Sequence, residues 1–251
     1  MIRIENVSKA FNGEQILSDI SVTYERGKTN LIIGASGSGK SVLTKCTVGL
    51  IKPDSGKVFF DDREFTSLNT QERQEVRTEI GMLFQGNALF DSLTIEQNVM
   101  FPLEMHSDMS VEEMKERVDF CLKRVQLEGI NHKYPAEISG GMQKRVALAR
   151  AIAMKPKYLF CDEPNSGLDP QTSIVIDQLI SEITKENDIT TIIVTHDMNS
   201  VMEIGEKVIF IHKGQKWWEG DNETILTTDN QELSDFVFAS SVMKRLARTS
   251  K

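Results

Sequence analysis

Leu31-Ile32-Ile33-Gly34-Ala35-Ser36-Gly37-Ser38-Gly39-Lys40-Ser41 is the stretch whose reading decides the fold. Three consecutive apolar residues predict a buried strand, and a helical pattern runs from Lys40 to Leu50. The pattern GxxxxGK[ST] therefore stands in a strand–loop–helix context. Successive backbone N–H groups of such a loop, backed by the positive end of the following helix, form a nest for anions. In that nest Lys40 reaches the β- and γ-phosphates of a nucleotide and Ser41 ligates Mg²⁺. Gly34, Ala35, Ser36, Gly37, Ser38, Gly39, Lys40, Ser41 and Val42 are the candidate binding residues.

Working outward, the opening is strand-rich: Ile2 to Phe11, Ile16 to Tyr24 and Thr29 to Ile33, with turn signals at Asn12-Gly13 and Arg26-Gly27. Strands are also predicted at Lys57 to Phe60 and Ile80 to Phe84. From Thr94 to Met154 the pattern changes to consecutive helices, at about Thr94 to Met100, Val111 to Leu127 and Met142 to Met154, which reads as a helical insertion. Strands return at Tyr158 to Cys161, Thr191 to Thr195 and Lys207 to Ile211, separated by helices at about Gln171 to Asn187 and Met198 to Ile204. This alternation predicts an α/β fold with a mainly parallel sheet and right-handed crossovers. Near the C-terminus Leu233, Phe236, Val237, Met243 and Leu246 recur at helical spacing, with acids early and bases late, as suits a helix dipole.

The 251 residues can bury a substantial core in one large or two small domains. Against 29 Lys and Arg stand 37 Asp and Glu; the net charge of −8 argues against a nucleic-acid surface and against adhesion to anionic lipid. Cys46, Cys121 and Cys161 have neither metal-site spacing nor the even number of a disulfide framework, so a reducing cytosol is the expected compartment. No apolar run reaches membrane-spanning length and none reads as a signal-peptide core, so a membrane role is expected to come through a partner.

Two further groupings carry chemistry. Tyr158 to Cys161 is an apolar strand followed by Asp162-Glu163, and strand ends are where open α/β sheets bind ligands. Asp162 is placed to hold Mg²⁺, directly or through water, and Glu163 to polarise an attacking water. Ile138-Ser139-Gly140-Gly141-Met142 opens a helix, with Ser139 as its N-cap and two glycines permitting close approach of the backbone.

With these motifs in order, the chain resembles an ATP-binding-cassette (ABC) ATPase, whose signature is close to LSGGQ. The resemblance covers about residues 1–225 and implies a P-loop NTPase fold: a RecA-like, mainly parallel core, an antiparallel β subdomain and an inserted helical subdomain at about 94–154. Residues 226–251 form a C-terminal extension. The resemblance further implies that Phe11 stacks on adenine, that Gln85 touches Mg²⁺ or water and senses a membrane partner, and that Asn165 to Pro170 is the D-loop. By the same resemblance His196 contacts the γ-phosphate, and Ser139, Gly140 and Gly141 complete the ATP site of a second copy. Two departures stand out: Met142 replaces the usual signature glutamine and Val42 the usual threonine. Neither removes a group needed for hydrolysis.

The resemblance extends to particular systems. Gly39-Lys40-Ser41-Val42, Gly86 to Thr94, Asn98 to Leu103 and Ser139 to Met142 are similar to the ATPase of the Mla phospholipid-transport system. An ATPase of a polar-amino-acid or methionine importer is the alternative, and a cell-division ABC ATPase a further one. The partners implied are a second copy in a head-to-tail dimer, an integral-membrane permease, and substrate-binding or accessory subunits, with ATP and Mg²⁺ as cofactors. Attachment through the permease implies the cytoplasmic face of the inner membrane. A DNA-repair or chromosome-organising cassette predicts a long coiled-coil or zinc-hook insertion that the sequence lacks.

Overall fold

The computed structural model describes residues 1–238. It comprises two compact units, one formed by Met1–Leu68 together with the chain from Val194 onward, the other by Asn69–Ile193. In chain order the first unit opens with β1 (Ile2–Phe11), β2 (Glu14–Tyr24), β3 (Thr29–Ile33), α1 (Lys40–Thr47), β4 (Ser55–Phe60) and β5 (Arg63–Glu64). The second runs through α2 (Thr70–Thr78), β6 (Ile80–Leu83), α3 (Ile95–His106), α4 (Val111–Arg124), α5 (Gly140–Ile152), β7 (Tyr158–Asp162), α6 (Pro170–Glu186) and β8 (Thr190–Val194). The chain then returns to the first unit with α7 (Met198–Ile204), β9 (Lys207–His212), β10 (Gln215–Gly220) and α8 (Gln231–Val237). The rest of the predicted C-terminal helix, including Met243 and Leu246, lies outside the described residues.

In the first unit β1 is flanked by β2 and β4, both antiparallel to it, and buries Ile2, Ile4 and Val7. A register shift falls between Ile4 and Val7, where Asn6 takes a left-handed backbone, so the inward-facing side chains resume beyond the bulge. Every residue of β3 is buried, and β3 pairs in parallel with β9 from Asn30↔Lys207 to Ile33↔Phe210. Burial of Asn30 is made tolerable by its amide, which donates to the carbonyls of Glu25 and Lys28 and accepts from the Glu25 N–H, closing the turn between β2 and β3.

In the second unit β7 lies between β6 and β8, and β6 pairs with it in parallel from Ile80↔Tyr158 to Leu83↔Cys161. The chain from β6 to β7 passes through α3, α4 and α5. Capping boxes start two of these helices, Thr94 with Gln97 and Ser110 with Glu113.

Some boundaries differ from the sequence reading. Helix α3 continues past Met100 to His106 through Pro102, and α4 stops at Arg124 because Gln126 turns left-handed. Helix α2 escapes periodicity because only Val76 is buried, although its Asn69–Glu72 capping box is visible in the sequence. Strand β10 was also unpredicted; it returns on β9 through Lys213 and Gly214, both of positive φ.

Close packing in the second unit depends on Gly81 in β6, where an added Cβ would stand 2.3 Å from the backbone oxygen of Ala151. Backbone cannot give way like a flexible side chain. Gly81→Ala is expected to cost about 1–3 kcal/mol, read as a lower urea midpoint at unchanged m-value.

Candidate functional site

The phosphate loop lies in the first unit, where β3 delivers Gly34 and α1 begins at Lys40. Helix starts leave four backbone N–H groups without partners inside the helix. Of the eight α-helices among the described residues, seven have an N-cap side chain that accepts from the first turn. Helix α1 differs: its N-cap is Gly39, at φ 106°, with no capping side chain and no acidic residue in the first turn. No capping side chain competes for its N-terminal donors, the arrangement that favours an anion at a helix start.

The rest of the loop fits the same occupant. Gly34 admits no side chain, since a Cβ there would lie 2.2 Å from the Ile211 carbonyl oxygen; Gly37, at φ 77°, has open space beyond it. Lys40 is buried at its base and folds its ammonium back onto the carbonyl oxygens of Gly34, at 2.7 Å, and Ala35, at 3.0 Å. The Ser38 hydroxyl is buried without a hydrogen-bond partner. An uncapped helix, a buried cation and an unsatisfied hydroxyl together match a polyphosphate, and Ser41, exposed in the first turn of α1, is free of burial constraints on metal ligation. Val42 follows in the same turn, half-buried.

His196 is exposed just beyond Thr195, whose N–H donates to the Ile32 carbonyl at 3.1 Å. That bond sets His196 beside the end of β3, where the phosphate loop begins. Phe11 is 42% exposed at the end of β1 and has the Lys9 ammonium 5.2 Å from its ring centroid. Its ring is thus accessible to a planar ligand.

The other predicted residues belong to the second unit. The Leu83↔Cys161 register brings the residues following β6 beside those ending β7, so Gln85 is near Asp162 and Glu163. Gln85 is exposed, and the two carboxylates are half-buried. Glu163 has φ 49°, a left-handed conformation that costs a non-glycine residue on the order of 1–2 kcal/mol. Ser139 caps α5, its hydroxyl oxygen accepting from the Met142 N–H at 3.3 Å. Gly140 opens onto free space, whereas a Cβ on Gly141 would meet the Thr172 methyl at 2.6 Å.

Lys144 was missed by sequence reading. It is 3% exposed, and its ammonium donates to the Gln85 carbonyl at 2.7 Å. Burial pulls the ammonium below the usual lysine range, while the charges of Asp162 and Glu163 oppose that shift. A lysine five residues past a helix cap gives no sequence signal; only the fold reveals that it is buried. Burial also raises the thiols of Cys46 and Cys121 to about 11 and that of Cys161 further still.

A phosphate nest between a buried parallel strand and an uncapped helix defines a P-loop nucleotide-binding protein. The chain belongs to the ABC transporter family, whose family model matches residues 17–166. That family binds ATP with Mg²⁺. It is 36% identical over 236 residues to the probable ribonucleotide transport ATP-binding protein mkl of Mycobacterium bovis, covering 94% of this chain and 66% of that protein. It is 40% identical over 224 residues to the methionine import ATP-binding protein MetN 2 of Bacillus cereus, covering 88% and 66%. The chain thus spans just under two thirds of the length of these curated relatives. Among solved structures it resembles a dimeric, post-hydrolysis ATP-binding cassette, MJ0796 bound to ADP and Pi, with TM-score 0.80 and 34% identity over 88% of this chain and 99% of that one. It also resembles cbiO1 of Clostridium perfringens, part of the ABC transporter complex cbiONQ, with TM-score 0.85 and 30% identity over 99% and 98%.

Lys40→Met removes the cation and retains an apolar stem. The variant is expected to bind ATP about 10- to 100-fold more weakly by calorimetry, the weight of a charge-assisted hydrogen bond.

Proposed function

We propose that this chain is the ATP-hydrolysing subunit of a membrane transporter that moves phospholipid between membranes through a separate permease. The observation that carries the ATPase part is the phosphate loop itself, with α1 uncapped, Lys40 buried and the Ser38 hydroxyl unpartnered. In this reading residues 1–225 form the cassette, with a helical subdomain at about 94–154, and residues 226–251 extend it.

Bound Mg²⁺ would neutralise charge on the β- and γ-phosphates, with Ser41, Gln85 and Asp162 as the residues to hold it. The N–H groups of Ser36 to Ser41 and the Lys40 ammonium bind the phosphate oxygens and stabilise their transition-state charge. Glu163 takes the proton of the attacking water on a carboxylate oxygen, His196 donates toward the terminal phosphate, and Phe11 stacks on the base. Ser139, Gly140 and Gly141 of one copy complete the phosphate site of another; Gly140, exposed with open space before it, suits such a contact. The dimeric form of the solved cassette it resembles supports this pairing. Among the described residues no helix is long and apolar enough to cross a membrane. In this reading a separate permease carries the cargo and holds the subunit at the cytoplasmic face of the inner membrane.

The phospholipid assignment rests on the Mla-like stretches around Gly86 to Thr94, Asn98 to Leu103 and Ser139 to Met142. A second reading, an amino-acid importer, is favoured by the 40% identity to the methionine import protein. Substrate-binding and accessory subunits belong to either.

Glu163→Gln should keep ATP binding and lose about 100- to 10,000-fold in turnover in a phosphate-release assay, while near-normal hydrolysis would remove Glu163 from the role of base. The cargo is decided in reconstituted bilayers with the copurified permease. Phospholipid extraction that depends on ATP, without stimulation by methionine-loaded binding protein, is the expected result; the reverse pattern establishes the importer.

A further inference from the structure

The turn that follows Gln85 is held in an unfavourable shape. Asn87 and Ala88 both have positive φ, 61° and 51°; asparagine tolerates that conformation but alanine adopts it rarely, so the pair calls for outside support. The support comes from α5, the helix that Ser139 caps. Lys144 donates to the Gln85 carbonyl at 2.7 Å, and Arg150 places its fork on two carbonyls beyond it, Nη2 to Asn87 at 2.8 Å and Nη1 to Ala88 at 2.7 Å. Gln143 adds a longer contact, its side-chain oxygen 3.5 Å from the Asn87 amide nitrogen. The Lys144 and Arg150 donors address main chain, so they set backbone position whatever side chains the turn carries, whereas Gln143 accepts from the Asn87 side chain. A buried ammonium carries a desolvation penalty that an apolar residue in the same place would not. At Lys144 that penalty is offset in part by the Gln85 carbonyl and by the charges of Asp162 and Glu163.

We infer that Lys144 and Arg150 are positioning residues that lock the Gln85–Ala88 backbone to the signature helix, so that Gln85 and Ser139 are carried by one rigid part. The inference rests on the roles proposed above for Gln85 and Ser139. A displacement of the turn then moves the signature helix with it, and nucleotide contact at Ser139 is transmitted back to the turn. Neither Lys144 nor Arg150 need touch the nucleotide.

The test uses the full chain with Lys144→Met, Lys144→Arg and Arg150→Lys. Hydrogen–deuterium exchange without nucleotide reads the lock directly, and steady-state kinetics read its consequence. Lys144→Met should speed exchange in 86–90 by about 10-fold or more, leave α5 protected, and lower kcat by about 10-fold at a KM for ATP within about twofold of the wild type. Lys144→Arg, which keeps charge and donor, should restore both readouts; Arg150→Lys, which loses the fork, should loosen the same turn. Unchanged exchange at 86–90 in both Lys144→Met and Arg150→Lys overturns the lock. So does equal loosening of the turn and α5, which marks a packing role, or a loosened turn with unchanged kcat. Should Lys144→Met fail to fold, Arg150→Lys decides by the same criteria. A wild type with a protected turn but no ATP turnover would defeat the ATPase reading and leave the mechanical link standing.

Discussion

A helix that begins without a cap has to find acceptors for its first N–H groups elsewhere, and among the described residues α1 is the one α-helix that finds none in a capping side chain. The surrounding structure serves to present that deficit. β3 is buried along its full length and paired in parallel with β9, so the loop leaves a rigid edge. Gly34 lets the loop lie against the Ile211 carbonyl, a contact that any side chain would displace, and Gly39 takes a left-handed backbone that side chains rarely adopt. Lys40 completes the arrangement by satisfying its ammonium on Gly34 and Ala35, which keeps the cation inside the loop rather than in water.

The second unit solves a different problem with the same materials. Gln85 follows β6 and Asp162-Glu163 stand at the end of β7, its parallel neighbour, and carboxylates set side by side need a counter-charge. Lys144 supplies it from α5. The helix that presents Ser139 at its start therefore also reaches the acidic strand end and the turn after β6 from its interior. Asn98, wholly buried, continues this control further along the chain, donating to the Phe90, Leu93 and Thr94 carbonyls and accepting from the Phe90 N–H.

Sequence revealed whatever is encoded locally. The phosphate loop, the Ser139 cap and the strand leading to Asp162 are contiguous patterns whose geometry follows from neighbouring residues, and their fold class followed with them. Helix α2 was lost because a largely exposed helix carries no hydrophobic period, and β10 because Gln215 to Gly220 shows no alternation of buried residues. The end of α3 was placed at about Met100, although the helix continues through Pro102 to His106. Lys144, Arg150 and Asn98 lay beyond reach for another reason. Their importance comes from carbonyls 59, 62 or 63, and 4 to 8 residues away, and a main-chain acceptor leaves no trace in residue type.

The burial of all three cysteines has a practical side. Cys46, Cys121 and Cys161 are enclosed and their thiols sit above the usual range, so at neutral pH almost none is thiolate, the form that reacts with oxidants and alkylating agents. The native chain is therefore nearly silent to thiol chemistry while folded. A single cysteine introduced on an exposed position such as Ser166 would be the only site to take up a maleimide dye or spin label, with no need to strip the natural ones from the core.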